Sequence, residues 1–315
     1  MHSQLQIAHP FLVSLATAVP TYDLLQSDVA ARAAAMFGAS EGDFHRLARV
    51  YGNAGIDHRQ SCVPLEWFSQ PHGFSERNAL FLQNATNLLT EAAVRALDQA
   101  GLAAKDIDTI VTICSSGIAT PALDARVMAN LDFRSDVQRL PVFGLGCAGG
   151  VLGLARAAAM AQSAPRSNIL LLVVELCSLT FRKQDRSKSN IVATALFGDG
   201  AAAAVITCRP EVAKNGHSPR LGPWGEHTWP DSLEVMGWEV ADDGLKVIFS
   251  RDIPTLVREE LRPVVDAFLE RNAFKFGDID EFVCHPGGAK VIDALEACSE
   301  LGPGFTAAMM MVSSA

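Results

Sequence analysis

A chain of 315 residues, 49% of them hydrophobic and 19% charged, can bury a core large enough for two domains or one large duplicated one. Its formal net charge of −9 argues against general binding of nucleic acid or of an anionic membrane surface. Any phosphorylated substrate must then be held by a local basic cluster.

Pro10 to Ala18 is an apolar run with no lysine or arginine before it, the first being Arg32, so it predicts a strand rather than a secretory segment. Ser27 to Phe37 is alanine-rich and predicts a helix capped by Ser27 or Asp28. Glu41 to Val50 predicts a second helix ending near Gly52-Asn53. Arg46 and Arg49, three residues apart, share a face of it, with Arg59 not far beyond. On residues alone these cations read equally well as a solvated face near a helix C-terminus. Ser75 to Ala100 predicts a long helix stopped at Gly101. Asp108 to Cys114 has the signature of a buried strand running into the turn Ser115-Ser-Gly117, and Pro121 to Leu131 suggests another helix.

The chemistry centres on Pro141-Val-Phe-Gly-Leu-Gly-Cys147-Ala-Gly-Gly150, where an apolar run ends in a glycine-rich turn with one cysteine at the bend. Val151 to Ala164 is rich in Ala and Leu and predicts a helix, which seats Cys147 at or beside a helix N-terminus. Unpaired N–H groups and the helix dipole there favour a thiolate. The alternative is a small buried hydrophobe, the commoner fate of a cysteine in an apolar setting. Downstream, Asn168 to Glu175 predicts a central strand, Arg182 to Asn190 a charged, serine-rich loop, and Ala195 to Ala201 a turn before a strand at Ala203 to Thr207.

Residues 209 to 232, rich in Pro, Gly, His and Trp, form the best boundary. They divide the chain into an N-terminal half, residues 1–208, carrying Cys147, and a C-terminal half, residues 209–315. Beyond the boundary the pattern predicts a strand at Leu245 to Ser250, a helix at Ile253 to Asn272, a strand at Glu281 to Cys284 and a helix at Lys290 to Cys298. The alternation gives an α/β class with mostly parallel sheets. Each half contains a strand, a glycine turn with a reactive residue and a helix, which hints at two related halves.

The seven cysteines, at 62, 114, 147, 177, 208, 284 and 298, show no C-x-x-C pair and no zinc spacing, so no metal is expected. They read as reduced thiols in a cytoplasmic protein, and no apolar run is long enough to span a membrane. His285, before Pro-Gly-Gly288, sits in a setting like that of Cys147, 138 residues away. A thiolate with a distant histidine points to a cysteine-dependent acyl transferase. The competing reading of His285 is a hydrogen-bonded core residue.

Five motifs occur in order: Gly144-Leu-Gly-Cys147-Ala-Gly-Gly, Val174-Glu175-Leu-Cys-Ser-Leu-Thr180-Phe, Ala195-Leu-Phe197-Gly-Asp-Gly, Asp252-Ile-Pro254 and His285-Pro-Gly-Gly288. Together they resemble the type III polyketide synthases, the chalcone synthase-like branch of the thiolase superfamily, from about residue 10 to about residue 297. Ser116-Gly-Ile-Ala-Thr-Pro121 and Met236-Gly-Trp-Glu-Val240 look most like bacterial members, including alkylpyrone and alkylresorcinol synthases. The resemblance implies a thiolase-like fold, two related α/β halves forming a layered α-β-α-β-α core. It implies a homodimer that joins an acyl-CoA starter, expected to be fatty acyl, to malonyl-CoA units by decarboxylative Claisen condensation. The product would be a pyrone or of resorcinol type. These CoA thioesters are substrates, and no bound cofactor is implied.

By the same resemblance Cys147 is the nucleophile, and His285 holds the thiolate and stabilises oxyanions. Arg46 and Arg49 meet the CoA phosphates, and Gly287 and Gly288 line the pantetheine arm. Phe197 is a gatekeeper, Cys177 and Thr180 line the cavity, and Thr120 reaches the partner's cavity. Val247 stands near the family's second gatekeeping phenylalanine, and Trp238 near a position that is small in plant members. The family completes its triad with an asparagine in a Gly-Asn-Met-Ser stretch. Here no asparagine follows Asn272, and the tail from Gly304 to Ala315 only faintly echoes that stretch. The C-terminal half is therefore expected to be incomplete at its end. The alternatives are a ketoacyl-carrier-protein synthase III-like condensing enzyme, or a truncated remnant that only binds CoA or dimerises.

Overall fold

The computed structural model describes residues 8–38, 42–213, 218–250 and 252–299. In chain order the elements are β1 (Phe11–Ala18), β2 (Tyr22–Leu25), α1 (Gln26–Phe37), α2 (Gly42–Asn53), β3 (His58–Ser61) and α3 (Phe74–Ala100). There follow β4 (Thr109–Cys114), α4 (Leu123–Met128), β5 (Gln138–Phe143), α5 (Gly149–Ser163), β6 (Asn168–Leu176) and α6 (Lys188–Leu196). The last are β7 (Asp199–Thr207), β8 (Met236–Ala241), β9 (Gly244–Phe249), α7 (Ile253–Arg271) and α8 (Ala289–Ser299). The chain forms two compact units, one from residues 1–21, 75–179 and 199–224, the other from residues 22–74, 180–198 and 225–315.

The first unit is built on a five-stranded sheet in the order β1-β7-β6-β4-β5. Its centre is apolar on both faces, because β4 and β6 are aliphatic and β-branched nearly throughout. Val111, Ile113, Ile169, Leu171, Ala204 and Ile206 share a core with Ala157 and Ala161 of α5. The alternate residues Ile110, Leu170, Leu172 and Val205 are fully buried as well. Strand periodicity of two sorts these residues onto opposite faces. α5 lies close against the sheet: a Cβ on Gly153 would stand 2.7 Å from Ile113 Cγ1 and 3.0 Å from Leu171 Cδ1. α3 presents Ala85, Ala92, Ala93 and Ala96, all fully buried, and the Ser14 hydroxyl donates to the Ala96 carbonyl at 2.7 Å.

The second unit holds two two-stranded antiparallel ladders, β2–β3 and β8–β9. α1, α2 and α6 close around Ala33, Phe37, Tyr51, Phe181, Ile191 and Ala195. Phe181 takes edge contacts from Phe37 and Phe68 at 6.1 and 5.5 Å between centroids. α7 and α8 meet around Leu295, Val257, Leu261 and Val291.

Several sequence expectations need correction. The sheet is not mostly parallel: β4 runs parallel to β5 and β6, but β7 is antiparallel to both β6 and β1. The chain from β6 to β7 passes through residues 180–198 of the second unit, so no crossover helix on this sheet imposes a parallel return. Glu281 to Cys284 is not a strand; no described segment offers it a ladder partner, and Val283 is 71% exposed. The loop at Arg182 ends at Ser187, whose hydroxyl accepts from the Asn190 N–H and caps α6. α1 starts at Gln26 with no side-chain cap, because the Gln26 N–H donates to the Asp57 carbonyl at 2.8 Å. α4 is shorter than the pattern suggested, Leu123–Met128. The tail from Gly304 to Ala315 lies outside the described residues.

Candidate active site

In the first unit, chemistry gathers where three neighbouring parallel strands end. β4 ends at Cys114, β6 runs into a 3-10 turn at Cys177–Thr180, and β5 runs through Gly144 and Gly146 into a 3-10 turn at Gly146–Ala148. Gly144 and Gly146 have φ of 91° and 55°, a region that residues with a side chain rarely enter. This turn places Cys147 two residues before the start of α5, beside the helix N-terminus as the sequence suggested. Strand C-terminal ends are where open α/β sheets bind ligands.

Between these cysteines stands Glu175, near the end of β6. Its Oε1 accepts from the Ser115 hydroxyl at 2.7 Å, and the Ser116 hydroxyl accepts from the Leu176 N–H at 2.8 Å. Burial pushes the Glu175 carboxyl up, and the Ser116 and Ser115 side chains pull it back. Its charge acts on every thiol around it. Cys114 is pushed up to about 12 by burial and then by Glu175. Cys177 is raised well above the ordinary value by burial, then by Glu175, Asp199 and Cys147. Cys147 is exposed, yet the protein packed around its sulfur, and then Glu175, raise it, while its own backbone N–H lowers it. The helix terminus alone therefore does not make Cys147 a thiolate. It needs a proton acceptor.

Cys177 is held in place by its neighbour. The Ser178 N–H and hydroxyl both donate to the Asp199 carboxylate, and Arg77 donates to the Leu179 carbonyl at 2.8 Å. Thr120 is exposed in the segment before α4.

In the second unit, His285 opens a glycine turn. The Gly287 N–H donates to the His285 carbonyl at 3.0 Å, and Gly288, at φ 110°, accepts from Val291 and Ile292 at the start of α8. A Cβ on Gly287 would lie 3.4 Å from Val291 Cγ2, and one on Gly288 would lie 3.4 Å from Leu196 Cδ1. His285 keeps an open edge, but the protein around the ring disfavours the imidazolium and lowers its pKa from 6.5. It is a neutral imidazole at pH 7, able to take a proton.

Phe197 is the first residue after α6, and its ring meets Trp238 edge-on at 6.3 Å and 78°. Trp238 on β8 stands opposite Val247 on β9, which is buried. Thr180 is buried in the same unit. Arg49 is exposed on α2; Arg46 belongs to the same helix, but its side chain lies outside the described residues. Cys147 and His285 belong to different units.

The structure adds residues that the sequence reading did not single out. Glu175 was legible in principle, as the one acid in a nine-residue buried strand. Ser115 and the partners of Arg59 carried no such signal. Among the described residues, no group of three His, Cys, Asp or Glu side chains could hold a metal ion. Nor is any described helix long and apolar enough to cross a membrane.

Comparison with known proteins gives consistent results. The family described as chalcone and stilbene synthases, N-terminal domain, matches residues 69–210. The 1,3,6,8-tetrahydroxynaphthalene synthase of Streptomyces peucetius subsp. caesius is 38% identical over 288 residues, covering 91% of this chain and 76% of that protein. The alpha-pyrone synthesis polyketide synthase-like Pks18 of Mycobacterium tuberculosis (strain H37Rv) is 30% identical over 304 residues, covering 92% and 76%. The crystal structure of 1,3,6,8-tetrahydroxynaphthalene synthase from Streptomyces coelicolor A3(2), a bacterial type III polyketide synthase, aligns with a TM-score of 0.88. That alignment has 26% identity and covers 94% of this chain and 83% of that one.

Proposed function

Because the chain belongs to the chalcone and stilbene synthase family of type III polyketide synthases, with its thiolase-like mixed α/β fold, we propose that it condenses a fatty-acyl-CoA starter with malonyl-CoA units and closes the product to a pyrone or resorcinol-type ring. The observation that carries this reading is the seat of Cys147, in a glycine turn entering α5 at the open ends of β4, β5 and β6.

In the proposed cycle the Cys147 thiol, held protonated in its own unit, gives its proton to the neutral imidazole of His285. The thiolate attacks the acyl-CoA carbonyl, the CoA thiolate leaves, and the acyl group stays on sulfur. Malonyl-CoA then loses carbon dioxide, and the resulting enolate attacks the Cys147 thioester. A carbon–carbon bond forms, the carbon–sulfur bond breaks, and the Cys147 thiolate is regenerated. His285, still carrying the proton taken from Cys147, stabilises the oxyanions. Pairing of Cys147 with His285 is part of the proposal. So are the CoA contacts of Arg46, Arg49, Gly287 and Gly288, the cavity roles of Phe197, Cys177, Thr180, Trp238 and Val247, and a homodimer in which Thr120 reaches the partner's cavity.

The pyrone assignment draws on the relative named for alpha-pyrone synthesis. A second reading, a naphthalene product, is favoured by the relatives named for tetrahydroxynaphthalene synthesis. Intact-protein mass after brief incubation with long-chain acyl-CoA, beside a Cys147→Ala control, tests the first reading. An acyl adduct on the wild type alone supports it, and no adduct at any chain length refutes the fatty-acyl starter. An aromatic product from malonyl-CoA alone would select the second.

A further inference from the structure

Residues 194–197, the last turn of α6 and the residue after it, are gripped by one guanidinium. Arg59, on β3, donates through Nη1 to the carbonyls of Thr194 and Phe197, the latter at 3.1 Å. Through Nη2 it donates to the Ala195 carbonyl at 2.8 Å and to Gln26 Oε1. Gln26, itself buried, donates onward to the carbonyls of Ala195 at 3.1 Å and Tyr51 at 3.2 Å. The Tyr51 and Thr194 hydroxyls share a further hydrogen bond. Carbonyls that a helix end leaves without intrahelical partners are thus taken by side chains from β3, α1 and α2.

All four acceptors of Arg59 are neutral. Burial pushes its pKa down to about 10, and Tyr51 offsets this only in part. Holding a partly buried cation on neutral carbonyls is an expensive way to cap a helix, which a glycine or a lysine near the C-terminus does more cheaply. Arginine supplies something these do not: a rigid fork whose donors fix several carbonyls in one geometry. The clamped turn carries two contacts of interest, Phe197 against Trp238, and the Leu196 methyls beneath Gly288 of the turn that follows His285.

We propose that Arg59 is a positioning residue, which fixes the end of α6 so that Phe197 is held against Trp238, and thereby governs which acyl starters reach Cys147. The selectivity half of this rests on the proposed reading of Phe197 and Trp238 as cavity residues. The positioning half does not.

The test uses the full chain as wild type, Arg59→Lys, Tyr51→Phe, Phe197→Ala and the Arg59→Lys/Phe197→Ala double variant. Hydrogen exchange read by mass spectrometry should show faster exchange in the peptide spanning 194–198 in Arg59→Lys, with the peptide spanning β6 unchanged. Unchanged exchange at 194–198 overturns the positioning role. Acylation of Cys147 is then followed with short- and long-chain acyl-CoAs. Arg59→Lys should change the long-to-short rate ratio by about fivefold, mainly through apparent KM, while iodoacetamide labelling of Cys147 stays within about twofold of wild type. Tyr51→Phe should shift the ratio the same way but less. It carries the test if Arg59→Lys does not fold, and an unchanged ratio there counts against the proposal. On the Phe197→Ala background the shift should vanish, because the two residues act through one another. A uniform loss at all chain lengths, or an additive shift in the double variant, overturns the selectivity role. A wild type that accepts no acyl group refutes the functional reading and with it the selectivity half, leaving the exchange result to decide the positioning half.

Discussion

The Ser115 hydroxyl donates a 2.7 Å hydrogen bond to Glu175, tying the end of β4 to the end of β6 across 60 residues of sequence. This carboxylate stands amid Cys114, Cys147 and Cys177 and raises the pKa of each. Glu175→Gln keeps an acceptor for Ser115 and removes the charge. Cys147 should then ionise at lower pH, and its alkylation by iodoacetamide at pH 7.5 should quicken, because the thiolate is the reactive form. Mass spectrometric labelling across pH 6 to 10 would show it. An unmoved profile would mean that Glu175 exerts no field at the sulfur.

Gly153 is fixed by close approach. A methyl group there would sit 2.7 Å from Ile113 and 3.0 Å from Leu171, both buried and unable to yield. Alanine is the better helix former by ~1 kcal/mol, but overpacking a tight core costs about 1–3 kcal/mol. Gly153→Ala should therefore lower stability, by about 1–2 kcal/mol in denaturant titration. A stabilised variant would show that α5 has room to lift from β4 and β6.

The same residues show what the sequence makes legible. β4 and β6 are uninterrupted apolar runs, and Gly144 and Gly146 announce the turn at Cys147, so the sheet centre and the candidate nucleophile can be read directly. β3 cannot: its four residues, His-Arg-Gln-Ser, carry no alternating pattern, and only pairing with β2 makes them a strand. Glu281 to Cys284 shows the converse, an apolar run that satisfies the pattern but finds no ladder. Glu175 and Ser115 meet only because β4 and β6 pair in one register, and Arg59 reaches α6 only through the fold of its unit. Such couplings between distant residues leave no local periodicity to find.

His285 makes a pH-dependent contribution whose sign is fixed by its lowered pKa. Between that pKa and 6.5, the unfolded chain takes up a proton that the folded one refuses, so stability rises with pH there. The contribution is full above about 6.5 and is lost as pH falls through the folded pKa. Glu175, raised by burial, acts in the opposite sense, so the wild-type curve alone is ambiguous. The difference between wild type and His285→Gln isolates the histidine. Melting temperatures from pH 7.5 down to 5.0 should show the wild type losing ground to the variant. The effect should be modest, because the ring keeps an open edge. A constant difference across that range would mean that the imidazole titrates as freely as in water.

Trp238 offers a test of the cavity reading itself. Its ring meets Phe197 edge-on at 6.3 Å, and across the hairpin it faces Val247. Edge contacts of this kind contribute about 0.5–1.5 kcal/mol beyond area burial, so Trp238→Ala should lower the melting temperature by a few degrees without unfolding the unit. The hairpin keeps an independent anchor, Arg182 Nε to Asp243 Oδ2 at 2.9 Å. With the indole gone, Phe197 loses its edge partner and the space beside it widens. If these two rings line the acyl passage, acyl-CoAs too bulky for the wild type should acylate Cys147 in the variant, while iodoacetamide labelling of Cys147 stays at the wild-type rate. A variant that is merely less stable, with an unchanged starter profile by intact-protein mass, would place Trp238 in the core of its unit and take the specificity reading from both aromatic residues.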